Sequence, residues 1–377
     1  MGKEMSGFDT NLDTETVSTM KETDRKCPSC EGVMDFDPAT GGLSCPYCGH
    51  KETIPVNKEK PESAEELTLK GADKLENCDW GAATKTVICK ACGAESVYDA
   101  LEIAAVCPFC GSNQVMEASD QNTMAPGGVV PFQVTDKQAS GLFRAWIKKK
   151  WFCPRPARES AKAKNFKGVY LPYWTFDTST SSSYRGEYGK DRRKRGADGK
   201  DVLETDWYRV KGTYEEAFDD ELICATTSHN QSMLLGLEPY RTAENKAYKP
   251  EYIAGFAAER YALGIRDAWE AAKESIRLKL KSNIEREILN RNHADQVRNL
   301  KVDTTYRDMT YKYLLLPVWI SSYKYKDKIY QFMVNGQTGK VSGRTPVSVP
   351  RVVITIAGVI LIIALIMWMF YEAGVFI

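Results

Sequence analysis

The longest uninterrupted apolar run of the chain extends from Val352 to Tyr371 and contains no charged side chain. As an α-helix, a run of this length measures about 30 Å, which matches the hydrocarbon core of a bilayer. A core helix of a soluble domain seldom lacks a polar face over such a length. The run therefore predicts one transmembrane helix over 352–371, preceded by a linker over 346–351.

Shorter periodic patterns between residues 129 and 345 predict an α+β domain. Thr135 and Gln138 form a capping box that opens a helix ending before Pro154. A longer helical pattern runs from Pro250 to Asn292, with Gly264 as a point of interruption. Alternating apolar residues predict strands at 169–176, 299–303, 309–325 and 328–334, the last followed by an Asn-Gly turn.

A Leu-Pro-x-Trp motif occurs twice in this domain, at 171–174 and 316–319. Each copy follows a helical pattern and leads into a Tyr-rich strand, as expected if an α+β unit is duplicated. Chance, or two similar strand entries that tolerate proline, explains the repeat nearly as well. The sequence leaves both explanations open.

Cysteine spacing indicates the chemistry most clearly. Eight of the 11 cysteines form four Cys-x-x-Cys pairs, and 14 residues separate the two pairs of each set. Tetrahedral zinc takes four thiolates, and one Cys-x-x-Cys turn presents two of them. The spacing therefore predicts two structural Zn²⁺ ions, one bound by Cys27, Cys30, Cys45 and Cys48 and the other by Cys89, Cys92, Cys107 and Cys110.

Each set of four cysteines lies in a segment of zinc-ribbon size, too small to fold without its metal. We expect Gly32 to adopt a positive φ angle. We expect His50 to lie at the surface; the alternative is that His50 replaces one of the cysteines as a zinc ligand. Ser63 and Glu66 form a capping-box pattern that indicates a short helix. The predicted order is a disordered start (1–23), ribbon 1 (24–55), an acidic linker (56–84), ribbon 2 (85–118), a linker (119–128) and the α+β domain (129–345).

Charge is distributed unevenly along the chain. Residues 1–125 carry a formal net charge of −11 and residues 126–377 one of +12. Basic residues are dense from Lys148 to Lys167, and an Arg-Arg-Lys-Arg run at 192–195 falls in a predicted loop. In a membrane-anchored domain such residues bind anionic lipid headgroups, or they form a solvated face. Both interpretations stay open.

Two features predict that the large N-terminal part is cytoplasmic, on a single-pass protein of the inner membrane. Lys340, Arg344 and Arg351 precede the apolar run, and no Lys or Arg follows it. The first thirty residues have no apolar core of signal-peptide length, and free thiolates require a reducing compartment.

No catalytic constellation is evident. The Gly-Gln-Thr-Gly-Lys run at 336–340 lacks the spacing of a phosphate loop and reads as a hairpin. Cys224 and His229 are close in sequence but have no orienting third group, and Cys78 and Cys153 match no pairing pattern. We therefore expect the protein not to be an enzyme.

Several motifs together resemble one bacterial family. They are Cys-Pro-Ser-Cys (27–30), Cys-Pro-Tyr-Cys-Gly (45–49), Cys-Lys-Ala-Cys-Gly (89–93), Cys-Pro-Phe-Cys-Gly (107–111), the two Leu-Pro-x-Trp strands, Val-Asn-Gly-Gln-Thr-Gly-Lys-Val (334–341) and the C-terminal apolar run. The chain resembles the YdjG-like, membrane-anchored TFIIB-type zinc-ribbon proteins, often labelled primosomal helicase-like. The resemblance implies a non-enzymatic membrane component acting beside phage-shock-type envelope-stress proteins and flotillin-like scaffolds. The sequence does not support the helicase label, because it contains neither a phosphate loop nor the two motor domains of a helicase.

Three function classes follow from the sequence. The first is an adaptor whose acidic zinc-ribbon head recruits a cytosolic protein partner to the inner membrane. The second is a nucleic-acid-binding ribbon protein of the transcription or replication type, but both ribbons are net negative, the wrong sign for phosphate contacts. The third is an enzyme whose Tyr and Trp residues line a pocket in the 129–345 domain, although such aromatics more often form a core.

Overall fold

The computed structural model describes residues 26–55, 61–70, 84–89, 95–99, 115–117, 124–160, 166–195, 201–227, 229–326 and 328–372. The predicted disordered start (1–23), most of the predicted ribbon 2 and Cys78 lie outside the described residues.

Most of the described chain belongs to a mixed α+β domain built on one curled sheet. The strands are β1 (Asp35–Asp37), β2 (Gly42–Ser44), β3 (Lys51–Glu52), β4 (Leu67–Thr68), β5 (Thr84–Cys89), β6 (Glu95–Asp99), β7 (Val115–Glu117), β8 (Gly128–Val129), β9 (Lys167–Arg195), β10 (Asp201–Cys224), β11 (Lys246–Ala247), β12 (Ala257–Glu259), β13 (Gln296–Tyr325), β14 (Lys328–Asn335) and β15 (Val341–Gly343). The helices are α1 (Asp136–Lys148), α2 (Arg155–Ser160), α3 (Gln231–Leu235), α4 (Ile265–Asn292) and α5 (Val349–Glu372).

Three very long strands form the centre of this domain. β9 lies between β10 and β13 and pairs antiparallel with both, and β13 also pairs with β14. α4 packs its apolar face against these strands, with Trp269 in contact with Phe176 and Tyr306 at ring-centroid distances of 5.3 and 5.6 Å. A stripe of buried residues at helical spacing makes that face: Ala268, Trp269, Ala272, Ile276, Leu280, Ile284 and Ile288.

α1 confirms the predicted capping box. The Thr135 side chain accepts a bond from the Gln138 backbone N–H, and the Gln138 side chain accepts one from the Thr135 N–H at 2.8 Å. The helix ends at Lys148, before Pro154, as predicted. The Asn-Gly turn is also confirmed, because Gly339 N donates to the Asn335 carbonyl in the loop between β14 and β15.

The predicted start of α4 at Pro250 is wrong. The helix begins at Ile265 with Gly264 as its N-cap, while Pro250–Ile253 is a 3₁₀ turn and Ala257–Glu259 is a strand. Gly255 has a φ of +77°, and a Cβ there would lie 2.8 Å from the Asp35 carboxyl. Apolar residues between Pro250 and Gly264 are therefore buried in a 3₁₀ turn and a short strand rather than in one continuous helix.

The strands predicted separately at 299–303 and 309–325 are one strand, β13. Its register against β9 shifts at two bulges, where Asn299 and Asp308 have φ angles of +55° and +51°. Each bulge reverses the apolar alternation without ending the pairing, which is why the pattern indicates two strands.

The basic run at 192–195, predicted as a loop, ends strand β9. Arg192 and Lys194 pair across to Asp206 and Glu204 of β10 at 3.0 and 3.1 Å. These cross-strand carboxylates offset the basic charge, so the run is a paired strand end with exposed side chains.

Part of the predicted acidic linker joins the large sheet. Leu67–Thr68 forms β4, which pairs with β13, so Ser63 and Glu66 do not open a helix. The Ala64 backbone N–H donates to the Asn245 side chain at 2.7 Å. A long-range pairing partner therefore overrides the local capping pattern.

The two Leu-Pro-x-Trp motifs meet at their first residues, because Leu171 is the antiparallel partner of Leu316 in the β9–β13 pair and each motif continues away from that point. The Pro172 carbonyl accepts a bond from the Ala225 N–H at 2.9 Å, and the Pro317 carbonyl accepts one from the Gly336 N–H at 2.8 Å. Each proline lacks a donor but still offers its carbonyl to the neighbouring segment.

The tryptophans of the two motifs make equivalent hydrogen bonds to different helices' N-terminal segments. Trp174 Nε1 donates to the Leu263 carbonyl at 2.9 Å, and Trp319 Nε1 donates to the Val134 carbonyl at 2.8 Å. Each acceptor lies one residue before the N-cap of a helix, α4 and α1 respectively. A short parallel strand flanks each motif too, β12 beside β9 and β8 beside β13. Duplication of the unit stays a prediction.

Replacing Trp319 with Phe should lower the free energy of unfolding by about 1–3 kcal/mol, because the buried Val134 carbonyl then loses its donor. Trp174→Phe should have an effect of similar size. The measurement is urea denaturation of the detergent-solubilised chain. Trp207→Phe, on a half-buried ring that stacks with Arg298, is the control and should change little. Equal stability of all three variants and the parent would contradict the structure.

Candidate metal centre

The segment predicted as ribbon 1 folds as a small three-stranded antiparallel sheet, β1-β2-β3. Asp37 closes the β1–β2 turn, because its side chain accepts bonds from the Ala39 N–H at 3.0 Å and the Thr40 hydroxyl at 3.1 Å. Gly41 supplies the positive φ angle, +70°, that the turn requires. The hairpin places the two Cys-x-x-Cys turns side by side.

The two Cys-x-x-Cys turns have matching backbone geometry. In the first, Cys27 N donates to the Gly32 carbonyl at 2.7 Å, and in the second Cys45 N donates to the His50 carbonyl at 2.8 Å. The residue after the second cysteine has a positive φ angle in both, +61° at Glu31 and +77° at Gly49. Similar turns thus present each pair of sulfurs from the two sides of the site.

Gly32 was expected at a positive φ angle, and this prediction is wrong because Glu31 adopts that conformation instead. Gly32 serves a different purpose. A Cβ there would lie 2.6 Å from the ring of Tyr47, so glycine allows the two turns to approach.

The four sulfurs of the first predicted site come together. Sγ atoms of Cys27, Cys30, Cys45 and Cys48 all lie within 4.8 Å of one another. The Cys27–Cys48 and Cys30–Cys45 sulfur pairs are 3.4 and 3.5 Å apart, far longer than a disulfide bond. Four thiolates about 2.3 Å from a tetrahedral zinc ion are about 3.8 Å apart. The described cluster could therefore bind one zinc ion through four sulfurs, which leaves no open position for catalysis.

Backbone amides of the second turn favour the thiolate form that metal binding needs. The Cys48 N–H, assisted by the Tyr47 N–H, lowers the pKa of Cys45 to about 7. The His50 N–H also lowers the pKa of Cys48. The nearby sulfurs of Cys27 and Cys30 outweigh this effect and raise the pKa of Cys48 to about 12. Negative charge on four adjacent sulfurs is mutually unfavourable, and a divalent cation relieves it.

His50 is not part of the sulfur cluster. Its Nδ1 lies 3.4 Å from the Ser29 hydroxyl on the ribbon surface. Within the described residues the ligand set is formed by cysteines alone, as the spacing predicts.

The second predicted quartet is only partly described. Cys89 ends β5, whereas Cys92, Cys107 and Cys110 lie outside the described residues. The backbone of β5 pairs with β6 and with β7. A second zinc site stays a prediction.

Ribbon 1 is attached to the large domain by its own core, which sequence reasoning did not predict. Phe36 N donates to the Ala254 carbonyl at 3.1 Å, and the Phe36 ring meets Tyr252 at 6.0 Å between centroids. Met34, Phe36 and Leu43 belong to the same buried cluster as residues of α4 and β13. The only local indication is Phe36 itself, an apolar residue between two aspartates.

Cys224 and His229 do not form an activated nucleophile. Burial raises the pKa of Cys224 to about 12, so its thiol is protonated at neutral pH. His229 is buried with its Nε2 3.8 Å from the Glu259 carboxylate, and burial lowers the His229 pKa to about 4. Thr226 donates to the same carboxylate at 2.6 Å. These contacts make His229 part of a buried polar cluster rather than a base facing a cleft.

A second cluster of possible metal ligands, made of three aspartates, lies in the large sheet. Asp177, Asp219 and Asp220 are close enough to hold a cation. The buried Lys312 ammonium, however, lies 2.8 Å from Asp220 and 3.2 Å from Glu66. Lys312 thus supplies the positive charge for Asp177, Asp220 and Glu66, and these four side chains act as an ion cluster within the protein.

The C-terminal apolar run forms α5, which begins at Val349. Its stretch Val349–Met369 is long and apolar enough to cross a membrane, and none of its most apolar window is buried. A soluble domain would bury such a surface, so the helix is a candidate membrane anchor.

The fold and the site together define a class: an α+β protein with an N-terminal four-cysteine cluster and a C-terminal helix that is a candidate membrane span. No family model matches the chain, and no solved structure matches it. The chain is 30% identical over 341 residues to the uncharacterized protein YdjG of Bacillus subtilis (strain 168), an alignment that covers 89% of this chain and 93% of the relative. The chain therefore belongs to the YdjG family.

Substituting Cys45 with Ser should remove one zinc ion per chain, because the described site then has three sulfur ligands. Metal content of the purified, detergent-solubilised chain can be measured by inductively coupled plasma mass spectrometry. Cys224→Ser, which changes a cysteine outside the cluster, is the matched control and should retain the parent's zinc. Unchanged zinc content in the Cys45 variant would refute the site.

His229 should make stability depend on pH between about 6.5 and 4. The unfolded chain takes up a proton in this range and the folded chain does not, so stability is present above pH 6.5 and decreases toward pH 4. The contribution is about 3 kcal/mol at most. Urea denaturation of His229→Gln against pH should show a shallower slope than the parent or the His293→Asn control. A parallel slope would argue against a buried neutral imidazole.

Proposed function

We propose that this protein is a non-enzymatic membrane adaptor, in which a TFIIB-type zinc-ribbon head recruits a cytosolic protein partner to the inner membrane surface. The observation that carries the proposal is the combination of a four-cysteine ribbon seated on the large domain with a helix suited to span a bilayer. An anchored head raises the local concentration of its partner at the membrane without any chemistry by the chain.

The exposed face of ribbon 1 supports a protein partner. Tyr47 is 78% exposed and Val33 47% exposed, beside the metal site. Four acidic residues against two basic ones give the described ribbon a net negative charge. An exposed aromatic side chain on a negatively charged module is complementary to a partner surface that has an apolar pocket surrounded by basic residues.

Membrane topology is part of the proposal. Thiolates of the ribbon require a reducing compartment, and basic residues precede α5, so we place the large N-terminal part in the cytoplasm. A role in envelope stress, and a scaffolding function beside other membrane proteins, rest on the family resemblance alone.

The equivalent contacts of the two Leu-Pro-x-Trp motifs support a duplicated β-α-β-β unit within the domain. Each unit consists of a short strand, then a helix, then a pair of antiparallel strands. These elements are β8, α1, β9 and β10 in the first unit and β12, α4, β13 and β14 in the second.

The alternative is nucleic-acid binding, now favoured by a groove on the long strands rather than by the ribbons. Four basic residues and one acidic residue line an open groove of about 520 Å³ there: Arg185, Arg209, Lys211, Lys301 and Glu187. Loss of a DNA mobility shift at low salt on substituting Arg209 and Lys211 would favour this second function.

Tyr47→Ala should reduce recovery of the head-dependent partner at least tenfold, because the exposed ring is the largest apolar feature of the ribbon face. Tagged protein is cross-linked in membranes, extracted, and its co-purifying proteins are quantified by mass spectrometry. Leu203→Ala, on an apolar residue of β10 that is 61% exposed, is the matched control and should retain the partner.

Cys45→Ser serves as the second variant, because it should remove the same partner by unfolding the ribbon. Recovery of an identical partner set with parent, Tyr47→Ala and Cys45→Ser would show that ribbon 1 is not the recruiting surface.

A further inference from the structure

The first turn of α5 is bonded to the turn between α1 and α2. Arg351 Nη1 donates to the carbonyls of Trp151 and Cys153 at 2.7 and 2.8 Å. One residue before α5, Ser348 N donates to the Phe152 carbonyl at 2.8 Å. The predicted linker at 346–351 is therefore not a free tether, because it ends in a fixed contact with the domain.

The Trp151 side chain lies alongside the beginning of the apolar helix. Its indole Nε1 donates to the Thr355 hydroxyl at 3.4 Å, and the Arg351 guanidinium lies 5.6 Å from its ring centroid. Thr355 is about 6 Å farther along the helix than Arg351. If α5 spans a bilayer, this indole sits at the level where the headgroups meet the hydrocarbon.

Apolar side chains surround this point without being buried by protein. Trp151 is 63% exposed, Phe152 43%, Val347 63% and Val349 70%. Together with the exposed surface of α5 they form one continuous apolar region. An amphipathic indole at such a position is typical of a membrane interface.

Basic side chains flank the same turn. Lys148, Lys149 and Lys150 are all exposed, as is Arg155 at the start of α2. Within residues 143–160 Glu159 is the one acidic side chain. A local excess of positive charge beside an apolar contact favours anionic over neutral headgroups.

We propose that residues 148–152 are a membrane-contact site: Trp151 and Phe152 enter the interface of the bilayer that α5 spans, and the three lysines bind anionic lipid headgroups. The inference rests on the membrane anchoring that is part of the proposed function. The bonds of Arg351 then hold the domain at one height and tilt above the lipid surface, so that ribbon 1 is presented in a defined orientation.

The test uses the full chain in lipid nanodiscs that contain phosphatidylcholine and phosphatidylglycerol. Acyl-chain bromine, which quenches nearby tryptophan, is carried by one lipid or the other. The Trp151 signal is the difference between the parent and Trp151→Phe, and the Trp368 signal, from within α5, is the difference between the parent and Trp368→Phe.

We expect brominated phosphatidylglycerol to quench the Trp151 signal at least twofold more than brominated phosphatidylcholine at equal mole fraction. Replacing Lys148, Lys149 and Lys150 with Ser should abolish that preference. The same substitution at Arg192, Arg193 and Lys194, distant in the sheet, is the matched control and should preserve it.

Quenching of Trp368 without quenching of Trp151 would overturn the contact site while leaving the anchor intact. Absence of both signals would overturn the anchor and with it this part of the proposed function. Equal quenching by the two lipids, or a preference that survives the lysine substitutions, would refute anionic recognition. A Trp151 signal insensitive to lipid and to aqueous acrylamide would mean that a protein covers the turn, which also refutes the proposal.

Discussion

The antiparallel pairing of β9 with β13 is the interaction on which the rest of the molecule depends. These two strands run side by side from Gln296 opposite Gly189 to Ile320 opposite Lys167. β10 and β12 attach to one edge of the pair, and β4, β8 and β14 attach to the other. α4 can bury its apolar stripe only because the three long strands provide a continuous surface. Such long-range pairing is costly in chain entropy and is offset by the large apolar area it buries.

Sequence reasoning predicted best where the determining interactions are local. The capping box at Thr135, the Asn335 turn and the cysteine turns involve neighbours within a few residues, so residue type and spacing decide them. The apolar run of α5 is equally self-contained, because composition and length alone identify it. The α+β class follows from the same local periodicities.

The features that sequence reasoning missed depend on distant partners. β4 forms because β13 offers an edge, and the basic run at 192–195 extends a strand because β10 supplies acidic partners. At Asp308 a bulge reverses the alternation in the middle of one strand. Docking of ribbon 1 through Phe36 has the weakest signal of all, since an apolar residue between two aspartates does not indicate which distant segment will cover it. Period and propensity carry no information about such pairings.

A chain of packed contacts links the four-cysteine cluster to the apolar helix. Ribbon 1 rests through Phe36 on the turn before β12, and β12 pairs with β9. β9 pairs with β13, β13 with β14, and Phe332 of β14 stacks on Phe143 of α1 at 3.5 Å. The turn that follows α1 is bonded to Arg351 at the start of α5. Because none of these steps is a free linker, ribbon 1 and the apolar helix hold a defined mutual orientation. If the protein is the adaptor proposed above, this orientation favours partners that reach the membrane at one height, in addition to raising their concentration there.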